Sequence, residues 1–244
     1  MRHLRATLAR VPGRARVSRP AAERLSLYLR EAERLAALGR VTVSSRQLGA
    51  SAGAADAQVR KDLGIIGTSG QPGIGYDVAA LAAAIRAVIG VQERWRAALV
   101  GAGNIGRALA AYRRLREEGF EVAAVFDRAE SVVGRRVAGI EVLPIEAIAE
   151  TVRREAIGIG IIAVPPEAAQ EVADLLVAAG VRGILNFAPR RLQVTPRVPV
   201  VDVDFRSALE RLVLAVSQRD EESTADRPSA ARPGARGVDP RRKR

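Results

Sequence analysis

The run Ala97-Ala98-Leu99-Val100-Gly101-Ala102-Gly103-Asn104-Ile105-Gly106 constrains this chain more than any other stretch. An apolar strand enters a G-x-G-x-x-G turn, and a helix over Arg107–Glu118 follows, the setting that a dinucleotide-binding crossover requires. Gly101 permits the tight turn, Gly103 lets the backbone approach a pyrophosphate, and Gly106 allows close helix–strand packing. Amides at the helix start face the phosphates, so Ala102, Asn104 and Ile105 complete the expected cradle. A second strand, Val122–Phe126, ends at Asp127, about 20 residues beyond the glycines. A carboxylate there bonds the adenine ribose diol and repels a 2′-phosphate, which favours NAD(H) over NADP(H). Arg128 beside it pulls the other way, because an arginine can accommodate that phosphate.

Further strands are expected at Gly158–Val164 and Arg182–Asn186, both near-continuous apolar runs of the kind a sheet covered on both faces needs. Ligands of such sheets bind at the carboxyl ends of the strands. The loops holding Val164 and Pro165, and Asn186 and Phe187, should therefore border the nicotinamide half of a cofactor. An ordinary turn with a helix-starting proline explains Pro165-Pro166 equally well.

Composition removes several chemistries. With no cysteine there are no disulfides, Cys-ligated zinc sites or iron–sulfur clusters. The one histidine, His3, lies in an arginine-rich N-terminal stretch, so no metal site is expected. No apolar run approaches the roughly 20 residues of a membrane span, and Met1–Pro20 lacks the apolar segment of a secretory signal. A soluble, cytoplasmic protein is expected. Its net charge of +12 sits mainly at the ends, +6 in Met1–Pro20 and +3 in Arg219–Arg244. Both ends read as disordered tails, residues 1–20 and 219–244, because neither can bury enough apolar area to offset chain entropy.

Residues 21–90 have another character. Leu25, Tyr28, Leu29, Ala32 and Leu35 recur at helical spacing, and Gly39 stops that helix. Ser44 and Gln47 form a capping-box pair that starts a short helix. Gly53 allows a turn, and Asp56–Leu63 reads as a second short helix bearing Gln58, Arg60 and Lys61. Two short helices joined by a tight turn are the helix-turn-helix pattern, whose second helix can enter a DNA major groove. A solvated charged face accounts for the same spacing. Glycines 67, 70, 73 and 75 suit a β-hairpin wing over Ile66–Tyr76, and Asp77 can cap a closing helix that buries Leu81, Ile85, Val88 and Ile89.

A dehydrogenase needs a proton donor near the hydride, usually His, Lys or Tyr. Between Asp62 and Arg242 there is neither histidine nor lysine. Tyr112 is the only tyrosine of the nucleotide region, and the fourth residue after it is Arg116 rather than the lysine that lowers a tyrosine pKa. Nucleotide binding without acid–base machinery points to sensing rather than turnover, so no catalytic residues are assigned. An NAD-dependent oxidoreductase and a CoA-type nucleotide module remain the alternatives.

The motifs "VTVSSRQLG", "AQVRKDL", "GIGYDV", "LVGAGNIGRALAAY", "IGIIAVPPEAAQEVADLLVAAGVRGILNFAP" and "VDVDF" stand in this order, and the chain resembles the redox-sensing transcriptional repressor family Rex over Ala21–Leu214. The resemblance implies a winged helix-turn-helix domain (residues 21–90), a Rossmann doubly wound parallel sheet (91–201) and a C-terminal helix (202–218) exchanged in a homodimer. It implies binding to palindromic double-stranded operator DNA when NADH is scarce, release by NADH, and competition by NAD+. By motif, Gln58, Arg60 and Lys61 would face the major groove. Ser44, Ser45 and Arg46 would contact phosphate, and Gln71 and Gly73 would belong to the wing. Gly101 to Gly106 and Asp127 would hold NADH. Arg30, Tyr112 and Asp204 would form a ligand-dependent switch, and Phe205 would reach the partner's nicotinamide pocket. Two features depart from the family pattern. Gln71-Pro72 replaces the wing's basic residue, which would enter a narrow, electronegative minor groove. Ala55 stands where a helix cap is usual, so Asp56 must begin the recognition helix.

Overall fold

A computed structural model describes residues 17–92 and 94–225. Of the tails expected over residues 1–20 and 219–244, residues 1–16 and 226–244 lie outside the described residues.

The N-terminal unit is built on α1 (Arg19–Ala37), whose buried stripe is the expected one: Leu25, Tyr28, Leu29, Ala32 and Leu35. This helix starts inside the segment expected to be tail. Ser18 caps it and Pro20 occupies its first turn, a start signal that outweighs the surrounding positive charge. β1 (Thr42–Val43) leads into α2 (Ser45–Ala52), then α3 (Asp56–Ile65), with Gly53 in the left-handed region between them. The Ser44–Gln47 capping box forms as expected. Gly49 makes the tight pairing of α2 and α3 possible, because a Cβ there would lie 2.3 Å from the Ala54 carbonyl oxygen.

The expected hairpin over Ile66–Tyr76 is reduced to a short loop closed by a single bridge, Gln71 to Gly75. Gly73 and Gly75 adopt the positive φ that the tight turn needs. β2 (Tyr76–Asp77) pairs instead with β1, and Gly75 lies so close to Val43 that a Cβ would meet its carbonyl oxygen at 2.3 Å. Asp77 caps α4 (Val78–Ile89), which buries Leu81 and Ile85 and half-buries Val88 and Ile89.

The second unit is a seven-stranded sheet in the order β5-β6-β4-β3-β7-β8-β9. Its strands are β3 (Trp95–Val100), β4 (Phe120–Asp127), β5 (Arg136–Val137), β6 (Ile140–Pro144), β7 (Ile159–Ile162), β8 (Gly183–Asn186) and β9 (Val200–Asp202). All neighbours run parallel except β5 and β6. The order reverses at β3, and in open α/β sheets that reversal opens the ligand crevice. One face packs under α7 (Ile148–Arg154) and α8 (Pro166–Ala179), centred on Phe126, Ile162 and Leu176. The opposite face carries Leu99, Val125 and Ile161, with Leu109 of α5 (Asn104–Ala111) against it.

Three sequence expectations change here. The helix foreseen over Arg107–Glu118 is two helices, α5 and α6 (Arg113–Glu117), broken at Tyr112, whose ψ of 88° is not helical. Beyond Ala111 the chain has no apolar stripe to hold one continuous helix on the sheet, and α6 buries nothing. The nucleotide unit extends past its expected end at 201, because β9 continues to Asp202. The last helix, α9 (Phe205–Ala225), runs beyond the expected limit of 218. Charge alone does not end a helix, and the first breaker after Val216 is Pro228.

Candidate functional site

The glycine-rich loop divides its glycines by purpose. Gly101 sits at φ 103°, and a Cβ on it would lie 2.4 Å from the Ala163 carbonyl oxygen and 3.1 Å from a Val164 methyl. On Gly106 a Cβ would lie 1.8 Å from the Gly101 carbonyl oxygen. Both are demanded by the chain's own packing, and Ala102 between them is buried. Gly103 is different: it has an ordinary φ of −72° and nothing within 4 Å of where its Cβ would stand. The chain's own packing does not demand a glycine here, and the open space leaves the backbone accessible to a group from outside. No side chain caps α5, so the first-turn amides that any helix leaves without internal acceptors remain available to an anion. Gly103, Asn104 and Ile105 are exposed.

Asp127 closes the loop from the side. Its Oδ2 accepts from the Ala102 amide at 2.7 Å and its Oδ1 from the Ala129 amide at 2.9 Å. Each oxygen keeps a second lone pair for a ribose diol. Val164 is half-buried against Gly101, and Pro165 is exposed at the head of α8.

Asn186 departs from the sequence expectation. It is buried, its Nδ2 donates to the Arg190 carbonyl at 2.9 Å and to Asp202 Oδ1 at 2.8 Å, and its Oδ1 accepts from the Ala188 amide at 3.0 Å. With its polar atoms so engaged, it is a brace that ties β8 to β9 rather than a cofactor contact. Phe187, half-buried next to it, faces Phe205 of the same chain with ring centroids 6.4 Å apart.

The switch trio is not assembled within one chain. Arg30 is exposed in a groove with Glu33, Arg86, Arg114 and Glu118. Tyr112 is exposed at the α5–α6 break. Asp204 caps α9, accepting from the Arg206 and Ser207 amides and the Ser207 hydroxyl, which hold its carboxyl below the usual range. Among the described residues no hydrogen bond joins any two of the three.

On the helix-turn-helix, Arg46 and Lys61 are exposed and make no ion pair among the described residues. Ser44 Oγ is engaged in the capping box, accepting from the Gln47 amide at 3.2 Å. Arg60 is tethered to Ser45 Oγ at 3.3 Å and to Asp56 Oδ2 at 3.2 Å, and this pair sits at an uncapped helix start. Gln71 and Gly73 are exposed at the wing tip together with Pro72 and Ile74.

Sequence reasoning missed the group that fixes the recognition helix. Asp62, 1% exposed, receives Arg24 through two bonds of 2.6 and 2.8 Å, the Tyr28 hydroxyl at 3.2 Å and Gln58 Nε2 at 2.8 Å. Burial alone would raise its carboxyl, but the bonds from Arg24, Gln58 and Tyr28 outweigh it and hold the pKa below the usual range. Burial next to that carboxylate pushes the Tyr28 hydroxyl up to about 12. The Gln58 side chain is therefore held in a fixed orientation on α3. The available signal was a carboxylate one turn after Gln58, between the buried Val59 and Leu63.

Comparison with known proteins decides the family. Residues 16–64 match the family model "Putative DNA-binding protein N-terminus", and residues 92–190 match "CoA binding domain". The redox-sensing transcriptional repressor Rex of Rhodopirellula baltica is 43% identical over 206 residues, covering 84% of this chain and 87% of the relative. That of Carboxydothermus hydrogenoformans is 46% identical over 193 residues, covering 79% and 93%. The chain belongs to the Rex family. Among solved structures, the Rex-family repressor RSP in complex with β-NAD+ and operator DNA aligns with a TM-score of 0.78 at 31% identity, covering 88% of this chain and 99% of that one. RSP with β-NADH aligns at 0.77 and 30% identity, covering 86% and 99%. The Rex architecture of a DNA-binding domain followed by a Rossmann sheet is thus the architecture of this chain.

Proposed function

We propose that this Rex-family chain represses transcription as a homodimer on palindromic operator DNA and is released when NADH fills the crevice at β3. The observation that carries the reading is Gly103: a glycine with free space around it and an uncapped helix start behind it, in a chain that also holds a helix-turn-helix. Gly101, Ala102 and Gly106 shape the loop, while Gly103, Asn104 and Ile105 present their amides to the pyrophosphate. Asp127 takes the adenine ribose, and Val164, Pro165 and Phe187 border the nicotinamide end. In this reading the chain has a DNA-binding and a released conformation, bound dinucleotide supplies charge and bulk that favour the second, and no hydride transfer is assigned. A reductase would need a proton donor, and Asp62–Arg242 contains no histidine or lysine. Like other transcriptional repressors, it would act in the cytoplasm, and no helix among the described residues is long and apolar enough to cross a membrane.

Two complementary deficits support the dimer reading. Parallel strands are normally joined by a covering helix, yet the β8–β9 connection has none, and its Ala188, Leu192 and Val198 pack on the α8 side. The other face is left with an open apolar hollow of about 500 Å³, lined by Ala97, Val122, Ile159, Ile161, Leu185 and Val201. α9, meanwhile, exposes Phe205, Leu209, Leu212, Val213 and Val216. A helix lacking a surface and a surface lacking a helix are jointly satisfied when two chains exchange α9. The proposed switch of Arg30, Tyr112 and Asp204, which a single chain does not assemble, would then have to form between two chains. Leu209→Asp/Leu212→Asp should therefore shift the protein from dimer to single-chain mass in sedimentation. A wild type that sediments as a monomer at micromolar concentration contradicts the exchange.

The function is tested by selecting from a random duplex pool with purified protein alone, with NADH and with NAD+. One palindromic sequence should be enriched, retained with NAD+ and lost with NADH. Enrichment indifferent to NADH, or loss provoked by CoA and not by NADH, would overturn the reading.

A further inference from the structure

At the adenosine end of the crevice, the residue after Asp127 reaches across to another element. Arg128 Nη2 meets Glu171 Oε1, in the second turn of α8, at 2.5 Å. The pair joins the residue after the carboxyl end of β4 to the helix that begins just after Val164-Pro165. Both side chains are more than half exposed. An arginine at this position is the group that accepts the 2′-phosphate of NADP. Here its charge is already engaged, and Glu146 adds another negative charge to its surroundings.

We propose that Glu171 is a specificity-determining residue of the nucleotide site, acting through Arg128 to keep NADPH out. The inference rests on the dinucleotide reading above and deepens it. With Glu171 present, a 2′-phosphate must displace a carboxylate from the guanidinium and then sit beside both that carboxylate and Asp127. With Glu171 neutralised, the same phosphate finds a free guanidinium and one fewer like charge, whereas NADH, which carries no charge there, is affected less. Arg128 thus becomes a harmless neighbour to the ribose only because α8 supplies its counter-ion.

The test titrates NADH and NADPH against the full chain, following nicotinamide fluorescence, in wild type, Glu171→Gln and Arg128→Ala/Glu171→Gln. Glu171→Gln should tighten NADPH relative to NADH by about three- to fivefold, the scale of an exposed charge pair. The double variant should lose that gain, since the cation the phosphate would use is gone. A merely structural role for the pair would move both ligands together and leave the ratio flat. An unchanged ratio in Glu171→Gln, or a gain that persists in the double variant, overturns the assignment while leaving the NADH site standing. Failure of the wild type to bind NADH at all would instead remove the reading on which it rests.

Discussion

Gly103→Val is expected to give a repressor that folds, binds its operator and ignores NADH. The position has room for a side chain: a Cβ there meets nothing within 4 Å, and the backbone φ of −72° suits any residue. The added isopropyl group would occupy the space through which a pyrophosphate reaches the α5 amides. Losing one or two charge-assisted hydrogen bonds weakens NADH by about 10- to 100-fold. Gly106→Ala is the informative contrast. Its single methyl would collide with the Gly101 carbonyl, 1.8 Å from the ideal Cβ, so the loop must move and the sheet unit loses about 3 kcal/mol. That corresponds to a melting temperature lower by roughly 6–12 °C. The expected pattern is an unchanged melting curve with lost NADH binding for Gly103→Val, and a lowered melting curve for Gly106→Ala. Retained NADH affinity in a folded Gly103→Val protein would contradict the pocket.

The second large effect is expected far from any ligand. Asp62→Ala should unfold the N-terminal unit preferentially, costing about 3 kcal/mol, because removing one member of a buried charge pair leaves its partners uncompensated. Arg24 would lose two bonds, the buried Tyr28 hydroxyl its acceptor and Gln58 its orientation. Operator affinity should fall with it, even at temperatures where the domain remains folded, although Asp62 is too buried to touch DNA. The pH dependence has a definite sign. The folded Asp62 carboxyl is held below its unfolded value of about 3.9. Its contribution is therefore complete above that value and is lost as pH falls through the lower, folded pKa. Wild type and variant should consequently converge in stability at strongly acidic pH. A variant that melts with the wild type near neutrality would show that α3 is held by its apolar face alone.

The large features were legible because they depend on local, periodic signals. The α1 stripe, the Ser44–Gln47 box and the Gly101–Gly106 turn each follow from residues a few positions apart, and each forms as read. What escaped depends on distant partners. Asp62 is an unremarkable helix carboxylate until Arg24, 38 residues earlier, folds onto it. Asn186 resembled a ligand contact, yet its acceptor on Asp202 arrives with β9, 16 residues later. Asp204 stands in the motif assigned to the switch, but within one chain its oxygens are occupied capping α9. The break at Tyr112 and the shortened wing reflect the same limit, because spacing shows where a helix or hairpin could run and not what it finds to pack against. The wing's missing charge is the consequence of most interest for DNA binding. With Gln71 and Pro72 exposed at its tip, the proposed contacts of α3 through Gln58, Arg60 and Lys61 are expected to carry most of the discrimination.

In the proposed function one conformational equilibrium links the β3 crevice to α3, and linkage makes the coupling reciprocal. The direct measurement is NADH affinity of the wild-type protein, free and saturated with its selected duplex, alongside duplex affinity with and without saturating NADH. The two factors should be equal, with operator DNA weakening NADH as much as NADH weakens operator DNA. Identical NADH affinity in the free and DNA-bound protein would contradict it.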